Sequence, residues 1–103
     1  MLQFKEGVQL TVTKSIQEIL ALIVPVYESF GVPCIVTSGT DGTHDEHSKH
    51  YLGQALDFRV SNVQPDDLQA LVQACKKACG EQFFVLFEGD HIHVQVPKGK
   101  VIG

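Results

Sequence analysis

Gln54-Ala55-Leu56-Asp57-Phe58-Arg59-Val60 alternates apolar and polar side chains, and so does the later run His91-Ile92-His93-Val94-Gln95-Val96. A two-residue period marks a strand with one buried and one open face. Leu56, Phe58 and Val60 then face the core, while Ala55, Asp57 and Arg59 face away from it. In the second run Ile92, Val94 and Val96 face in, and His91, His93 and Gln95 face out. Laid side by side, the two strands put Asp57 and His93 on one open face.

The surrounding sequence supplies what covers the other face. Between Val12 and Phe30, Ile16, Ile19, Leu20, Ile23, Val24, Tyr27 and Phe30 recur at spacings of three and four, which predicts a helix. Thr13 or Ser15 can cap its start and Gly31 can end it in a left-handed conformation. Pro25 removes a backbone donor and is expected to kink or divide it. Pro33 to Ser38 reads as a short strand and Gly39 to Lys49 as a polar loop. Pro65 opens a second helix with Asp66 and Asp67 in its first turn, where they complement the dipole. Leu68, Leu71, Val72 and Cys75 form its apolar face, and Gly80 closes it. Gln82 to Phe87 and His91 to Val96 are strands joined by a tight Glu88-Gly89-Asp90 link, a hairpin. The expected fold is α+β: a small, mainly antiparallel sheet, helices packed on one face and the site on the open face.

Composition narrows the function. The 103 residues are 44% hydrophobic and 19% charged, which fits a single globular domain spanning 1–103. A net charge of -4 with eight Lys plus Arg argues against a nucleic-acid surface. No apolar run reaches the roughly 20 residues of a membrane span, and the N-terminus lacks the layout of a secretory signal. Cys34, Cys75 and Cys79 are an odd number without C-x-x-C spacing, and read as small buried hydrophobes in a reducing compartment.

The chemistry sits at the edge of the first alternating run. Ser48-Lys49-His50-Tyr51-Leu52-Gly53-Gln54-Ala55-Leu56-Asp57 places a histidine seven residues before a carboxylate, and His91-Ile92-His93 brings further imidazoles on the facing strand. Two imidazoles and one carboxylate suffice to hold zinc with an open fourth position, as a catalytic metal requires. Gly53 lets the chain turn between His50 and Asp57, and Ala55 leaves room beside a metal. His44, His47 and His50 are three apart, but Gly, Thr and Asp around them favour a loop over a helical stripe. His44 is placed in the cleft and His47 in solvent. Asp41, Asp45 and Glu46 could attract a hard cation such as calcium, although a solvated acidic loop is the plainer reading.

Ser48, His50, Gly53, Ala55 and Asp57 resemble the S-x-H-x-x-G-x-A-x-D signature of the D-Ala-D-Ala carboxypeptidase/endolysin (M15-type) zinc peptidases. The resemblance runs from about Ile35 to Val96. It implies that His50, Asp57 and His93 bind Zn2+, and that an acidic residue three positions before the last ligand, here Asp90, is the general base. Thr40 to Asp57 and Glu88 to His93 also look like the zinc domain of hedgehog signalling proteins, an alignment that favours Glu88 instead. Asp90 is the base expected here, with Glu88 as the rival. His91, beside the last ligand, is expected to stabilise a developing oxyanion.

There is one departure from the family pattern. Its members commonly carry an arginine shortly after an upstream Ser-Gly pair, to bind a substrate carboxylate. Here Ser38-Gly39 is followed by Thr40-Asp41-Gly42-Thr43, and Arg59 is the only arginine in the chain. Arg59 is therefore the expected carboxylate reader, with His44 and Ser48 as further substrate-binding residues. By resemblance the substrate is a peptidoglycan stem peptide cut at a bond involving a D-amino acid, by a D-Ala-D-Ala carboxypeptidase or an L-Ala-D-Glu endopeptidase. The small size resembles a monomeric phage lytic or virion-associated peptidase, made in the cytoplasm and acting on the cell wall. The alternatives are a non-catalytic hedgehog-like zinc module that binds a protein partner, and a structural phage protein with a degenerate site.

Overall fold

The computed structural model describes residues 1–9, 13–39 and 54–97. Its elements are β1 (Leu2–Phe4), α1 (Lys14–Ser29), β2 (Cys34–Ser38), β3 (Ala55–Arg59), α2 (Pro65–Cys79), β4 (Phe84–Phe87) and β5 (His91–Gln95). The five strands form one sheet in the order β1-β2-β3-β5-β4. Three of the four pairings are antiparallel, and β1 pairs with β2 in parallel. The architecture is the expected α+β arrangement with a mainly antiparallel sheet.

The parallel edge strand is new relative to the sequence reading. A parallel pair needs a crossover, and α1 supplies it between β1 and β2. Leu2 aligns with Cys34 and Phe4 with Val36. The ladder is carried one step further by Lys5, whose N–H donates to the Val36 carbonyl at 2.8 Å.

Both helices end as their sequences direct. Thr13 caps α1, its hydroxyl accepting from the Ile16 N–H at 3.1 Å. Gly31 follows the helix at φ +72°, a left-handed value that suits glycine. Pro25 does not divide α1, which is continuous from Lys14 to Ser29. Its missing donor orphans the Ala21 carbonyl, and both residues are exposed, so water can satisfy that carbonyl.

The core lies between the helices and one sheet face. Ile16, Ile19, Ile23 and Tyr27 from α1 and Leu71, Val72, Cys75 and Cys79 from α2 meet Val36, Leu56, Phe58, Ile92 and Val94 from the strands. Each large apolar side chain buried this way contributes about 1.5–3 kcal/mol. The three cysteines are free and buried. Burial pushes the Cys34 and Cys75 thiols up to about 12 and Cys79 to about 11, so they behave as small hydrophobes.

Two features transmit the core to the open face. The Tyr27 hydroxyl, fully buried, donates to the Arg59 carbonyl at 2.8 Å and ties β3 to α1. At the hairpin, the Glu88 N–H donates to the His91 carbonyl at 2.9 Å, so the loop is only Gly89-Asp90. Gly89 has φ +90° while Asp90 does not have a positive φ, the pattern of a type II′ turn with glycine at its first central position.

Candidate active site

Asp57 aligns directly with His93, and Arg59 with His91, across the β3–β5 ladder. The bulge in β2 also brings Ser38 opposite Asp57. The alternation read in the sequence is therefore the alternation of the structure: Leu56, Phe58, Ile92 and Val94 are fully buried beneath the helices. Asp57, Arg59, His91, His93 and Gln95 share the opposite face.

Asp57 and His93 are both largely buried, each side chain 13% exposed, and His93 Nδ1 lies 2.8 Å from Asp57 Oδ1. The other ring nitrogen, Nε2, lies 2.7 Å from Gln95 Oε1. The Gln95 amide is oriented by its own Nε2, which donates to the Val96 carbonyl at 3.3 Å. Its oxygen is thus turned to His93, and an oxygen only accepts. Both ring nitrogens thus face acceptors, an arrangement that favours the positively charged ring. Burial alone opposes that charge and is the largest single influence. The hydrogen bonds to Asp57 and Gln95 and the charges of Asp57 and Glu88 outweigh it, and the pKa is raised.

His91 is framed in the same way. Nδ1 meets Asp90 Oδ1 at 2.5 Å, and Nε2 lies 3.3 Å from Glu88 Oε1 and 3.8 Å from Asp57 Oδ2. Desolvation again lowers its pKa most, but the bond to Asp90 and the charges of Asp57, Glu88 and Asp90 raise it overall. The two acidic residues of the hairpin thus sit on different nitrogens of one ring. Asp90 is on the outer side, its side chain 88% exposed, and Glu88 is on the side of Asp57.

The Asp57–His93 pair suits a metal. His93 Nδ1 and Asp57 Oδ1 converge on one another, and as ligands they would give up any proton between them to a metal ion. Gln95 holds the second nitrogen of His93, as a partner of a metal-binding histidine typically does. Among the described residues no group of three or more His, Cys, Asp or Glu is arranged to hold a metal. His50, the remaining expected ligand, lies outside them, as do Asp41, His44, Asp45, Glu46, Ser48 and Gly53.

The flanks of the pair differ in character. Toward β4, Phe84 and Leu86, 48% and 42% exposed, stand opposite Gln95 and His93. Toward β1 and β2, a cleft of about 400 Å³ is lined by Lys5, Thr37, Arg59, Ser61, Asp90 and His91. Arg59 makes no side-chain ion pair among the described residues. Gln95 and Lys5 were not singled out from the sequence. Gln95 was legible in principle, because His93 and Gln95 lie two apart on one strand and so share a face.

The sequence profile of the Peptidase M15 family matches residues 1–95. The chain belongs to this family. That makes it a peptidase of a metallopeptidase family, with a peptide as its substrate. No curated protein matches the chain. Among the described residues no helix is long and apolar enough to cross a membrane.

Proposed function

We propose that the protein is a zinc-dependent peptidase that hydrolyses peptidoglycan stem peptides at a bond involving a D-amino acid, with His50, Asp57 and His93 as the metal ligands. The observation that carries this reading is the Asp57–His93 pair, two largely buried donors 2.8 Å apart that share one proton seat on the open face. When bound, zinc supplies a Lewis acid that acidifies water and polarises a scissile carbonyl.

The remaining work falls to the chain's own side chains. Asp90 takes the proton of the attacking water and passes it to the leaving amine. Its high exposure leaves it free to turn from His91 toward the substrate. Glu88 is the rival for this role, supported by its position on the inner nitrogen of His91 beside Asp57. His91, a donor at Nε2, stabilises the negative charge that develops on the carbonyl oxygen. Arg59, directly across from His91 and roughly 7 Å along β3 from Asp57, pairs with a substrate carboxylate. Phe84 and Leu86 offer an apolar wall for a small side chain.

The test is to incubate the zinc-loaded protein with purified peptidoglycan and identify the released termini by mass spectrometry. New amino and carboxyl termini at a D-residue, absent with His93→Ala, support the proposal. Unchanged peptidoglycan with the zinc-loaded parent refutes it.

A further inference from the structure

A second concave surface lies beyond the hairpin turn. Where β3 and β5 end, a hollow of about 370 Å³ opens between the sheet and the start of α2, walled by Val60, Val63, Pro65 and Leu68. Val60 and Val63 are buried and Leu68 is half-buried against the core, so these walls are held in place. The size falls within the range of small-ligand sites, roughly 300–1,000 Å³. Gly89 borders the hollow, and nothing stands within 4 Å of where a Cβ at Gly89 would be, so the turn leaves it open. Among the described residues the one charged group in its lining is Asp90, whose carboxylate is engaged by His91 Nδ1. The hollow is built for an uncharged, apolar group.

It is continuous with the candidate site. Ser61 and Asp90 line both the hollow and the cleft that holds Arg59 and His91. Val60 lies three residues after Asp57, and Asp90 three residues before His93. Each is therefore roughly 10 Å from the Asp57–His93 pair, the span of about three extended residues. A peptide lying over the pair reaches the hollow across the rim formed by Ser61 and Asp90.

The chemistry gives the direction. Both candidates for the general base, Asp90 and Glu88, sit on this hairpin, and the base hands its proton to the leaving amine. The fragment that departs with that amine therefore lies on the hairpin side, toward the hollow. One residue spans only about 3.3–3.6 Å of chain, too little to cover the distance.

We propose that the hollow is a subsite for an aliphatic side chain of the peptide substrate, about three residues beyond the cut bond on the leaving-amine side. The enzyme then cuts within a chain instead of trimming a single terminal residue. This rests on the reading of the Asp57–His93 pair as the place of cleavage. Leu68 is the specificity-determining residue, a half-buried apolar side chain that α2 contributes to the wall.

Binding can be measured without turnover. The metal-free protein is titrated with N-acetylleucinamide and with N-acetylglycinamide, and amide NMR shifts at Val60, Ser61, Val63, Leu68 and Gly89 report occupancy. The leucine probe is expected to shift these signals and to bind about tenfold or more tighter than the glycine probe, the lower end for burying such a side chain. Leu68→Gln, which puts a polar group in the wall, should remove most of that difference. Leu68→Met, which keeps the wall apolar, should preserve it, with the fold of both variants checked by circular dichroism.

Cleavage supplies the second readout. Synthetic peptides that share one D-residue bond continue beyond it for one residue, or for three residues ending in glycine or in leucine. The leucine peptide should be cut about tenfold more efficiently than the glycine peptide, chiefly through KM, and Leu68→Gln should bring the two close to parity. Selective binding of the leucine probe with no cleavage of any peptide keeps the subsite and removes the zinc-peptidase reading. Equal cleavage of the glycine and leucine peptides, or a leucine probe that binds no tighter than glycine, overturns the subsite. Fastest cleavage of the peptide with a single residue beyond the bond overturns its place on the leaving side.

Discussion

Replacing Gln95 with leucine removes the oxygen that accepts from His93 Nε2 at 2.7 Å and leaves the ring otherwise in place. Two consequences follow. In the metal-free protein the Nε2 hydrogen loses its acceptor on a side chain that is only 13% exposed. In the metal-bound protein nothing then selects the tautomer that leaves Nδ1 free to bind on the Asp57 side. Loss of such a partner typically lowers metal affinity by about 10- to 100-fold, or about 1.4–2.8 kcal/mol. Gln95→Glu keeps an acceptor at the same point and should retain most of the affinity. The assay is zinc competition against a chromophoric chelator at fixed pH, with the fold checked by circular dichroism. Unchanged affinity in the leucine variant, or equal losses in both variants, would refute the view that Gln95 orients His93.

Three further outcomes are expected. Asp90→Asn should keep its zinc and lose roughly 10²-fold or more in turnover; a dead Glu88→Gln beside an active Asp90→Asn would move the general base to Glu88. His93 has a folded-state pKa above its unfolded value, so its contribution to the metal-free protein is full below about pH 6.5 and fades as pH rises through the folded value. Zinc needs the ring without its Nδ1 proton, so the gain in melting temperature on adding zinc should grow between about pH 6 and 8; a constant gain, or one shared by His93→Gln, would contradict this. Tyr27→Phe leaves the Arg59 carbonyl without its buried donor and should cost about 1–3 kcal/mol in urea unfolding, whereas a change near zero would show that the bond does not hold β3 in place.

The site was legible wherever chemistry coincided with strand period. Because β3 and β5 alternate strictly, the face of Asp57 and of His93 could be read from parity alone, and the register places them opposite each other. Helix ends were legible for the same local reason, since Thr13, Gly31 and Pro65 each act through their own backbone geometry. The edge strand β1 was not. It has three residues, and its partner Cys34 lies beyond a whole helix, so no turn or period announces the pairing. Lys5 was hidden with it, because its place in the cleft depends on that parallel pairing. The hairpin acids illustrate a different limit. Gly89 interrupts the alternation, and the distribution of Glu88 and Asp90 over the two nitrogens of His91 is a property of turn geometry and rotamers.

The most direct test of the account is zinc stoichiometry in the purified protein and in His50→Ala, Asp57→Ala and His93→Ala, by elemental analysis after dialysis against a weak chelator. About one zinc per chain is expected in the parent and a large loss in each variant, with the helical and strand signal retained. Full zinc occupancy in folded His93→Ala or Asp57→Ala protein would contradict it, because the metal would then lie elsewhere and the 2.8 Å pair on the open face would be only an ion pair.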